Sequence, residues 1–426
     1  MKRLNVLVLP GGTEIGLEIW RALKDCKEIS LYSAAADIAN HAPYVFARHF
    51  IVPSVHERAW VEALNEVITN QNIHYIYPAH DDVVLSLAEN AHRIRAKIVS
   101  SPLKTCRIAR SKRATYEHLA GVVPVPCVYN EPLNVVDFPV FVKPDVGQGS
   151  SDVHLIKSRE QLIRLLDVPL RYVVTEYLPG EEFTIDCFSD RDRGLLFCGG
   201  RTRSRTRSGI SMSSHCAGDA FFHEYANAIA EKMDLYGAWF FQLKRDSRGT
   251  LKLLEVAPRV AGTMALNRVR GINFPLLSIY EQERISLQIM LNHADVEIDR
   301  ALLNRYRHNV QYDTVYVDLD DTLILNGRVN TILVQFLFQC VNKGIRLVVL
   351  TKHDGDVEQT LQKYRLRGLF DDIVKIERSA SKADSIRESN AILIDDSFSE
   401  RKEVHDRLGI MTFDCSMIEM LVNDRS

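Results

Sequence analysis

The sequence predicts a multidomain α/β protein. The first predicted part is a doubly wound unit, the second is an α+β segment, and the third is a Rossmann-like domain. Strands and helices alternate in residues 1–100, β-rich apolar runs fill the next segment, and the alternation resumes at Tyr312. Such alternation is typical of a parallel sheet covered by helices. A chain of 426 residues is long enough for about two to four domains.

The predicted boundaries follow these changes in pattern. We expect an α/β unit at residues 1–100, a second domain at 101–293, a charged helical linker at 294–311 and a separate domain at 312–426. The last segment has 426 − 311 = 115 residues. That length is sufficient for a hydrophobic core of its own.

Composition and charge restrict the class of protein. Apolar residues make up 46% and charged residues 25%, which is ordinary for a globular chain. The 53 basic and 55 acidic residues leave a net charge of −2, which argues against a nucleic-acid partner. Apolar runs such as Leu347–Leu350 are too short to cross a bilayer, so no membrane role is expected. Eight scattered cysteines without a Cys-x-x-Cys pair favour a reducing, cytoplasmic setting.

The opening unit contains a strand at Asn5–Leu9, a glycine turn, and a helix at Glu14–Lys24. Further strands are predicted at Ile29–Tyr32 and His74–Tyr77. The turn has Gly-Gly-x-x-x-Gly spacing, which differs from the dinucleotide fingerprint. We therefore favour a tight strand-to-helix turn, with a dinucleotide site as the alternative.

The middle segment is rich in predicted strands. They are Val140–Lys143, Tyr172–Glu176, Phe183–Phe188, Leu195–Cys198, Ala238–Leu243 and Leu251–Val256. A lysine ends the first of them, and glycines and serines follow at 147–151. Backbone amides of such a loop can approach phosphate oxygens, and the lysine adds positive charge. A plain flexible turn is the alternative explanation of the glycines.

The order of these motifs resembles the ATP-grasp superfamily, in particular its carbamoyl-phosphate-synthase-like branch. The motifs are residues 143–151, 173–186, Gln242 and 253–259, and the resemblance covers about residues 1–290. The sequence also resembles ATP-grasp proteins associated with tellurium-resistance operons. The resemblance implies a pre-ATP-grasp unit followed by a ligase domain that converts a carboxylate into an acyl-phosphate for attack by an amine.

The resemblance also implies a set of nucleotide-binding residues. They are Lys112, Lys143, Gly147, Gly149, Ser150, Ser151, Glu176, Tyr177, Leu178 and Glu182. The two lysines would contact the phosphates of ATP, and the glycines and serines would form a mobile lid over them. Glu176 to Leu178 would meet the adenine, and Glu182 would bind the ribose hydroxyls.

The metal and transfer residues implied by the same resemblance are Gln242 and Glu255 for Mg²⁺ and Arg259 for the transferring phosphoryl group. The family usually has Glu-x-Asn-Pro-Arg at this point, whereas this chain has Ala257 in place of the asparagine. An alanine cannot bind a metal, so either the second Mg²⁺ is held differently or the transfer step is weakened.

Four arginines, at positions 201, 203, 205 and 207, alternate with Ser and Thr. In one strand this period would place all four on one face, where an anion could relieve their repulsion. Two explanations remain open: some of them bind a substrate carboxylate or phosphate, or the segment is a solvated loop. Residues 209–214 are assigned to the same active-site loop.

The last segment has polar residues at the ends of its predicted strands. Asp318 to Thr322 follow the strand Thr314–Val317, Thr351 ends Leu347–Leu350, and Asp395 with Asp396 follow Ile392–Ile394. Lys382 lies in a polar stretch that begins a helix. The carboxyl ends of parallel strands meet at one edge, and crowded carboxylates there favour Mg²⁺. The alternative is that loops are simply polar.

This arrangement resembles the haloacid dehalogenase (HAD) phosphatase superfamily over about residues 312–422. The roles implied are Asp318 as nucleophile, Asp320 as general acid/base, Thr351 as phosphoryl ligand and Lys382 as orienting cation. The implied Mg²⁺ ligands are Asp318, Asp320, Asp395 and Asp396.

The spacing of these motifs leaves no room for a lid domain. They lie 351 − 322 = 29 and 382 − 351 = 31 positions apart, enough for about one helix and one strand each. A capless Rossmann-like domain of this kind has an open site, which implies either a bulky substrate or a cover over the site supplied by the rest of the protein. His353 lies nearby without metal-ligand spacing, which favours a surface or packed histidine over a catalyst.

The sequence thus predicts a bifunctional enzyme that requires ATP and Mg²⁺. Its partners would be a small carboxylate, an amine and a phosphorylated substrate, and a homodimer is left open. One alternative keeps the ligase and makes the HAD domain a non-hydrolysing transfer or binding module. The other alternative, favoured by Ala257, is an ATP-sensing regulator with little ligase turnover.

Overall fold

The computed structural model describes residues 3–147, 149, 151–166 and 171–423. Contacts between Cα atoms divide the chain into two compact units, Met1–Leu302 and Leu303–Ser426. Within the described ranges, no helix is both long and apolar enough to span a bilayer.

The first unit opens with a parallel sheet in the order β3–β2–β1–β4–β5. Its strands are β1 (Leu4–Leu9), β2 (Ile29–Ala35), β3 (His49–Ile51), β4 (Tyr75–Pro78) and β5 (Lys97–Ile98). Its helices are α1 (Glu14–Leu23), α2 (Ala42–Val45), α3 (Trp60–Asn70) and α4 (Asp81–Glu89). Val6 and Val8 of β1 face a core that includes α1, whereas Leu7 and Leu9 face α3 and α4. The alternation along β1 therefore produces the doubly wound arrangement.

The geometry of the turn after β1 explains why it is rich in glycine. Thr13 caps α1 by accepting a 3.0 Å hydrogen bond from the amide of Gly16. A Cβ at Gly16 would lie 2.6 Å from the carbonyl oxygens of Pro10 and Gly11. Glycine is needed here because α1 begins in contact with the turn, which supports the tight-turn interpretation.

The rest of the first unit contains two antiparallel sheets. The smaller, in the order β7–β6–β8, comprises β6 (Val140–Pro144), β7 (His154–Ile156) and β8 (Tyr172–Glu176). The larger has the order β11–β12–β10–β9–β13–β14, with β15 paired to β12. Its strands are β9 (Glu182–Asp190), β10 (Gly194–Thr202), β11 (Arg205–Arg207), β12 (Ile210–Ala217), β13 (Gly237–Arg245), β14 (Leu251–Ala257) and β15 (Glu297–Asp299).

Helices pack on these sheets. They are α5 (Leu103–Arg110), α6 (Lys112–Leu119), α7 (Arg159–Leu166), α8 (Ala220–Lys232), α9 (Ala265–Arg268) and α10 (Phe274–Gln282). Short 3₁₀ turns lie at Pro132–Asn134 and Gly262–Met264. A core that includes Trp239, Phe241 and Phe222 lies between the larger sheet and α8.

Most strands predicted from apolar runs are present with bounds shifted by a few residues, but two segments differ. Residues 294–311 contain no helix; instead, Glu297–Asp299 forms β15 against β12. Residues 210–214 belong to strand β12, not to a loop. In both cases long-range pairing decides the structure, and local composition gives no signal of it.

The four alternating arginines do not share one strand. Position 201 is in β10, position 203 lies between strands, and positions 205 and 207 are in β11. β10 and β11 pair with successive parts of β12, and the pairing is irregular between Arg205 and Thr206, so the four arginines do not lie in the one regular strand that the single-face prediction assumes.

The second unit is built on a parallel sheet in the order β20–β19–β16–β21–β22. Its strands are β16 (Thr314–Val317), β19 (Arg346–Thr351), β20 (Asp372–Lys375), β21 (Ala391–Ile394) and β22 (Met411–Phe413), beside a hairpin of β17 (Ile324–Leu325) and β18 (Arg328–Val329). Its helices are α11 (Thr331–Asn342), α12 (Val357–Lys363), α13 (Phe398–Leu408) and α14 (Ile418–Leu421), with 3₁₀ turns at Arg367–Leu369, Lys382–Asp384 and Cys415–Met417.

The central strand of this sheet, β16, is covered on both faces. Val315 and Val317 pack in the core that includes α11, and Tyr316 packs in the core that includes α13. Between Thr322 and Thr351 lie the hairpin and α11, and between Thr351 and Lys382 lie α12, a 3₁₀ turn and β20. The polar ends of β16, β19 and β21 therefore meet at one edge.

Candidate functional sites

A buried lysine stands at the centre of the first candidate site. Lys143 of β6 is 6% exposed, and its Nζ donates a 2.6 Å hydrogen bond to the hydroxyl of Tyr116. It makes no ion pair with a carboxylate among the residues that the structure describes. Burial, together with the nearby charge of Lys112, lowers the pKa of Lys143 to about 7. A buried cation without a counter-ion fits an anionic ligand in the adjoining cleft.

The other phosphate-binding residues implied by the sequence lie along the same cleft. Lys112 begins α6, and its Nζ contacts the carbonyl oxygens of Asp145 (3.4 Å) and Gly147 (3.3 Å). Burial lowers the pKa of Lys112 as well. Gly147, Gly149 and Ser151 line the cleft, and Gly149 has a φ of +62°. Ser150 lies outside the described residues.

The residues expected at the adenine lie where β8 ends. Glu176 accepts a 2.8 Å hydrogen bond from the backbone amide of Cys127. Tyr177 and Leu178 line the cleft, together with the apolar side chains of Phe141 and Leu254. This end of the cleft thus offers an apolar lining beside backbone polar groups, as an aromatic base requires.

Glu182, expected at the ribose, is already engaged by cations. Its carboxylate lies 2.6 Å from Nε of Arg203 and 3.4 Å from Nζ of Lys244. It lines the same cleft as Lys143.

The residues expected to hold Mg²⁺ face each other across two strands. Gln242 of β13 is in register with Glu255 of β14, and both line the cleft. Directly registered side chains of antiparallel strands lie on the same face. An amide oxygen and a carboxylate side by side are hard ligands that fit Mg²⁺.

Arg259 lies in a second pocket that shares Lys112, Gln242 and Glu255 with the nucleotide cleft. Its guanidinium makes two bonds, of 2.6 and 2.8 Å, to the carboxylate of Asp81 in α4. The charge of Asp81 outweighs burial and raises the pKa of Arg259, so the guanidinium is a fixed cation. Ala257 lines the same pocket as a buried methyl group and offers no ligand to a metal.

The alternating arginines divide by environment. Arg201 is 1% exposed and bonds through Nε to Asp186, and Arg203 is paired with Glu182. Both line the second pocket. Arg205 pairs with Asp299 at the surface, and Arg207 is exposed. The last two arginines are therefore solvated, although they lie in strand β11 and not in a loop, whereas the first two are turned into the pocket.

The second candidate site, in residues 303–426, is organised by Lys382. Its Nζ lies 2.5 Å from a carboxylate oxygen of Asp318 and 2.5 Å from one of Asp395. All three side chains are nearly buried. Burial raises the pKa of Asp318 to about 6, opposed by the charge of Lys382. Burial also raises the pKa of Asp395, while the two carboxylates raise that of Lys382.

Three carboxylates of this site could share a metal ion. One oxygen each of Asp318, Asp395 and Asp396 lies within 4.8 Å of the others. Asp396 is also fixed by Thr322, whose hydroxyl lies 3.1 Å from its carboxylate and 2.9 Å from its amide. Oxygen donors at this spacing fit Mg²⁺. Among the described residues this group does not include the side chain of Asp320, for which the resemblance implies a role as a ligand.

Asp320 instead faces a histidine. Its carboxylate oxygens lie 2.9 and 3.0 Å from Nδ1 of His353, and Nε2 of His353 lies 3.1 Å from the hydroxyl of Thr360. Its side chain is 56% exposed, so it can reach solvent or a leaving group. Thr351 is buried at the end of β19, where its hydroxyl accepts a hydrogen bond from the amide of His353.

Sequence reasoning missed several partners in these sites. They are Asp81, Tyr116, Arg300 and His353. Asp81 and Arg300 lie far along the chain from the residues they serve, and Tyr116 shares helix α6 with Lys112 but lies 27 positions from Lys143, so no short pattern marks them. His353 is two residues after Thr351, and only the three-dimensional contact with Asp320 separates it from an ordinary surface histidine.

Part of the first unit matches a known family model. A family model described as "ATP-grasp in the biosynthetic pathway with Ter operon" matches residues 169–299, which lie within the first unit. No curated protein sequence matches the chain. The family match and the similar solved structures support an ATP-grasp fold.

Three solved structures illustrate the likeness. An L-amino acid ligase from Bacillus licheniformis is 17% identical, with a TM-score of 0.55 over 68% of this chain and 76% of that one. An N5-carboxyaminoimidazole synthetase from Staphylococcus aureus, complexed with ADP, is 16% identical, with a TM-score of 0.55 over 68% and 81%. A biotin carboxylase from Campylobacter jejuni is 14% identical, with a TM-score of 0.56 over 67% and 73%. At these identities the likeness is one of fold.

Proposed function

We propose that residues 1–293 act as an ATP-dependent ligase that joins a carboxylate to an amine through an acyl-phosphate. The observation that carries this proposal is the buried Lys143, without a carboxylate partner among the described residues, in a cleft that also contains the registered pair Gln242 and Glu255. The likeness to an amino acid ligase and to a synthetase complexed with ADP supports the same class of activity.

In this proposal different residues along the cleft bind different parts of ATP. Lys112 and Lys143 would bind the phosphates of ATP, beside Gly147, Gly149 and Ser151 of the same cleft. The segment Glu176–Leu178 would hold the adenine and Glu182 the ribose. Mg²⁺ on Gln242 and Glu255, when bound, would offset phosphate charge.

The proposed reaction has two steps. A carboxylate oxygen attacks the γ-phosphorus, the bond to the bridging oxygen breaks, and ADP leaves. The fixed guanidinium of Arg259 stabilises the charge on the transferring group. The amine nitrogen then attacks the acyl carbon, the carbon–oxygen bond to phosphate breaks, phosphate leaves, and the amine proton passes to solvent.

The ligase is tested by measuring ADP release from Mg-ATP with a panel of carboxylic acids and amines, with mass spectrometry of the products. Acid-dependent ADP release with a new amide supports the proposal, and Glu255→Gln should abolish that release. Tight ATP binding with no turnover on any acid would contradict it. That outcome would favour the second candidate function, an ATP-sensing regulator. Ala257 supports this candidate, because its methyl group offers no ligand to a metal.

We further propose that residues 312–426 act as a Mg²⁺-dependent phosphatase. The contact of Lys382 with both Asp318 and Asp395 carries this proposal. Mg²⁺ on Asp318, Asp395 and Asp396, when bound, would reduce the repulsion between the nucleophile and a phosphate dianion.

In this proposal Asp318 attacks the phosphorus while Asp320 gives a proton to the departing oxygen. Thr351 and Lys382 bind the transferring phosphoryl group. Water then attacks the phosphorus of the aspartyl-phosphate, Asp320 accepts its proton, and phosphate leaves with the carboxylate of Asp318 restored. Hydrolysis of an aryl phosphate that disappears in Asp318→Asn supports this account. Undiminished hydrolysis in that variant would contradict it, and no hydrolysis by the wild type would favour a non-hydrolysing transfer or binding module.

A further inference from the structure

The pocket beyond the nucleotide cleft contains an arginine that is only partly paired. Arg201 is 1% exposed, and its Nε bonds to both carboxylate oxygens of Asp186, at 3.2 and 3.0 Å. Its Nη1 is buried and has no hydrogen-bond partner among the described residues. A buried guanidinium nitrogen without an acceptor is costly, and the pocket that Arg201 lines offers the space for one.

A second arginine reaches the same pocket from a distant part of the chain. Arg300 follows β15, and its Nη1 lies 3.4 Å from the carbonyl oxygen of Ser211. It makes no ion pair among the residues described. A Cβ at Gly262 would lie 3.3 Å from both of its terminal nitrogens, so the absence of a side chain there gives the guanidinium its place.

The electrostatics agree with an anion between the two arginines. Burial lowers the pKa of Arg300, and the charges of Arg21 and Arg201 lower it further, against the opposing effects of Glu14 and Glu18. Arg259 and Arg203, by contrast, already have carboxylate partners in Asp81 and Glu182. Arg300 has no carboxylate partner among the described residues, and Arg201, although paired with Asp186 through Nε, still has a buried Nη1 without an acceptor.

The sheet register separates this end of the pocket from the metal end. Arg201 is opposite Thr184, Thr184 is opposite Gln242, and Gln242 is opposite Glu255. Three strand spacings of about 4.8 Å place Arg201 and Glu255 about 14 Å apart at their Cα atoms. A substrate lying along this row has one end near the proposed metal ligands and its other end near Arg201.

We propose that Arg201 and Arg300 bind a second anionic group of the ligase substrate, so that the accepted acid carries one carboxylate for activation and another carboxylate or a phosphate at its far end. This inference rests on the proposed ligase function and adds its substrate class. Both anions suit two guanidiniums that face one pocket.

The test compares acids that differ only in the second group. Succinate is compared with butyrate for a carboxylate, and O-phosphoserine with serine for a phosphate. Binding is measured by calorimetry in the presence of Mg-ADP, and turnover by ADP release from Mg-ATP with an amine mixture. We expect the dianionic member of one pair to bind at least about tenfold more tightly, and the pair that responds identifies the anion.

Arg300→Gln should remove most of that preference by raising KM for the dianionic acid about 10- to 100-fold, with kcat at saturation and the Kd of Mg-ATP little changed. Arg300→Lys, which keeps the charge, should retain part of the preference. Arg207→Gln is the matched control, because Arg207 is exposed on the same ribbon outside the pocket.

The outcomes separate this inference from the function on which it rests. Equal binding of both members of each pair, or a preference that survives in Arg300→Gln, overturns the inference. Turnover with monoanionic acids alone would overturn it while leaving the ligase intact. Failure to bind Mg-ATP at all would overturn the ligase proposal itself.

Discussion

At the scale of single residues, the account depends on cations that the fold buries before any ligand arrives. Lys143 is held at a pKa of about 7 by burial and by the charge of Lys112. Its ammonium therefore gains most when a phosphate enters the cleft, since the anion replaces the hydration that burial removed. The same property makes the protonation state of Lys143 a reporter of nucleotide binding.

We predict that Mg-ATP binding takes up about one proton at pH 8, because bound phosphates raise the pKa of Lys143 above that pH. Since the free lysine loses its proton as the pH rises through about 7, affinity for Mg-ATP should fall above that pH. Calorimetry in buffers of different ionisation enthalpy measures the uptake.

Lys143→Met should abolish this proton uptake and weaken Mg-ATP binding about 10- to 100-fold. Lys157→Met is the matched control, because Lys157 is an exposed lysine outside the cleft. Unchanged proton uptake in Lys143→Met would show that another group titrates.

In the second unit, we predict that Asp320→Asn lowers the kcat for hydrolysis of an aryl phosphate about 10²- to 10⁴-fold, because the general acid is lost. Asp321→Asn serves as the control, since Asp321 is exposed and has a φ of +54°, which asparagine tolerates. Equal losses in the two variants would argue against a specific role of Asp320.

The motif residues were predictable from the sequence because Lys143, Asp318, Thr351 and Asp395 each end a short apolar strand. Their partners were not, since an arginine such as Arg300 has the same local signal whether it faces solvent or a pocket. Asp320 illustrates the limit, because its place two residues after Asp318 predicts a metal ligand but gives no signal of its contact with Nδ1 of His353.

At the scale of elements, strand ends position the chemistry. Parallel strands β16 and β21 are direct neighbours, so the residues after them are brought close together and share Lys382. Apolar runs predicted these strands well. The polar strand β12 and the short strand β15 were missed because pairing with neighbours, not composition, makes them strands.

We predict that Lys382→Met destabilises the second unit by about 3–5 kcal/mol at pH 8, because two buried carboxylates lose their counter-ion. A carboxyl whose pKa is raised in the folded state, as for Asp318 at about 6, destabilises the fold when ionised. The loss should therefore shrink as the pH falls through 6 and be smaller at pH 5.

Hydrogen exchange of peptides covering β16 measures this effect in the full chain. Tryptophan fluorescence would report on the other unit, because all three tryptophans (Trp20, Trp60 and Trp239) lie in the first unit. Lys402→Met, at an exposed lysine of α13, should change exchange by only a few tenths of a kcal/mol. A pH-independent loss in Lys382→Met would contradict the electrostatic explanation.

At the scale of the whole molecule, two units in one chain are each proposed to handle a phosphorus centre. The division into Met1–Leu302 and Leu303–Ser426 lies close to the change in pattern that the sequence shows before Tyr312. Alternation of strands and helices made the two parallel sheets predictable. The sequence could not predict how β15 returns to the larger sheet, because that pairing spans some eighty positions of chain.

If the activities act in sequence on one compound, the ligase product of an acid that carries a phosphate would be the phosphatase substrate. We predict that Asp318→Asn accumulates a phosphorylated amide that the wild type does not, as measured by mass spectrometry of reactions with a phosphorylated acid. Equal amounts of that product in both proteins would show that the two activities are uncoupled.

The most direct test of the central proposal follows a single oxygen atom. The reaction is run with Mg-ATP, amines and a panel of acids labelled with ¹⁸O in the carboxylate. Because the activated oxygen leaves with phosphate, the account predicts inorganic phosphate that carries one ¹⁸O atom for each amide formed. Unlabelled phosphate from a reaction that consumes ATP and forms the amide would contradict an acyl-phosphate ligase.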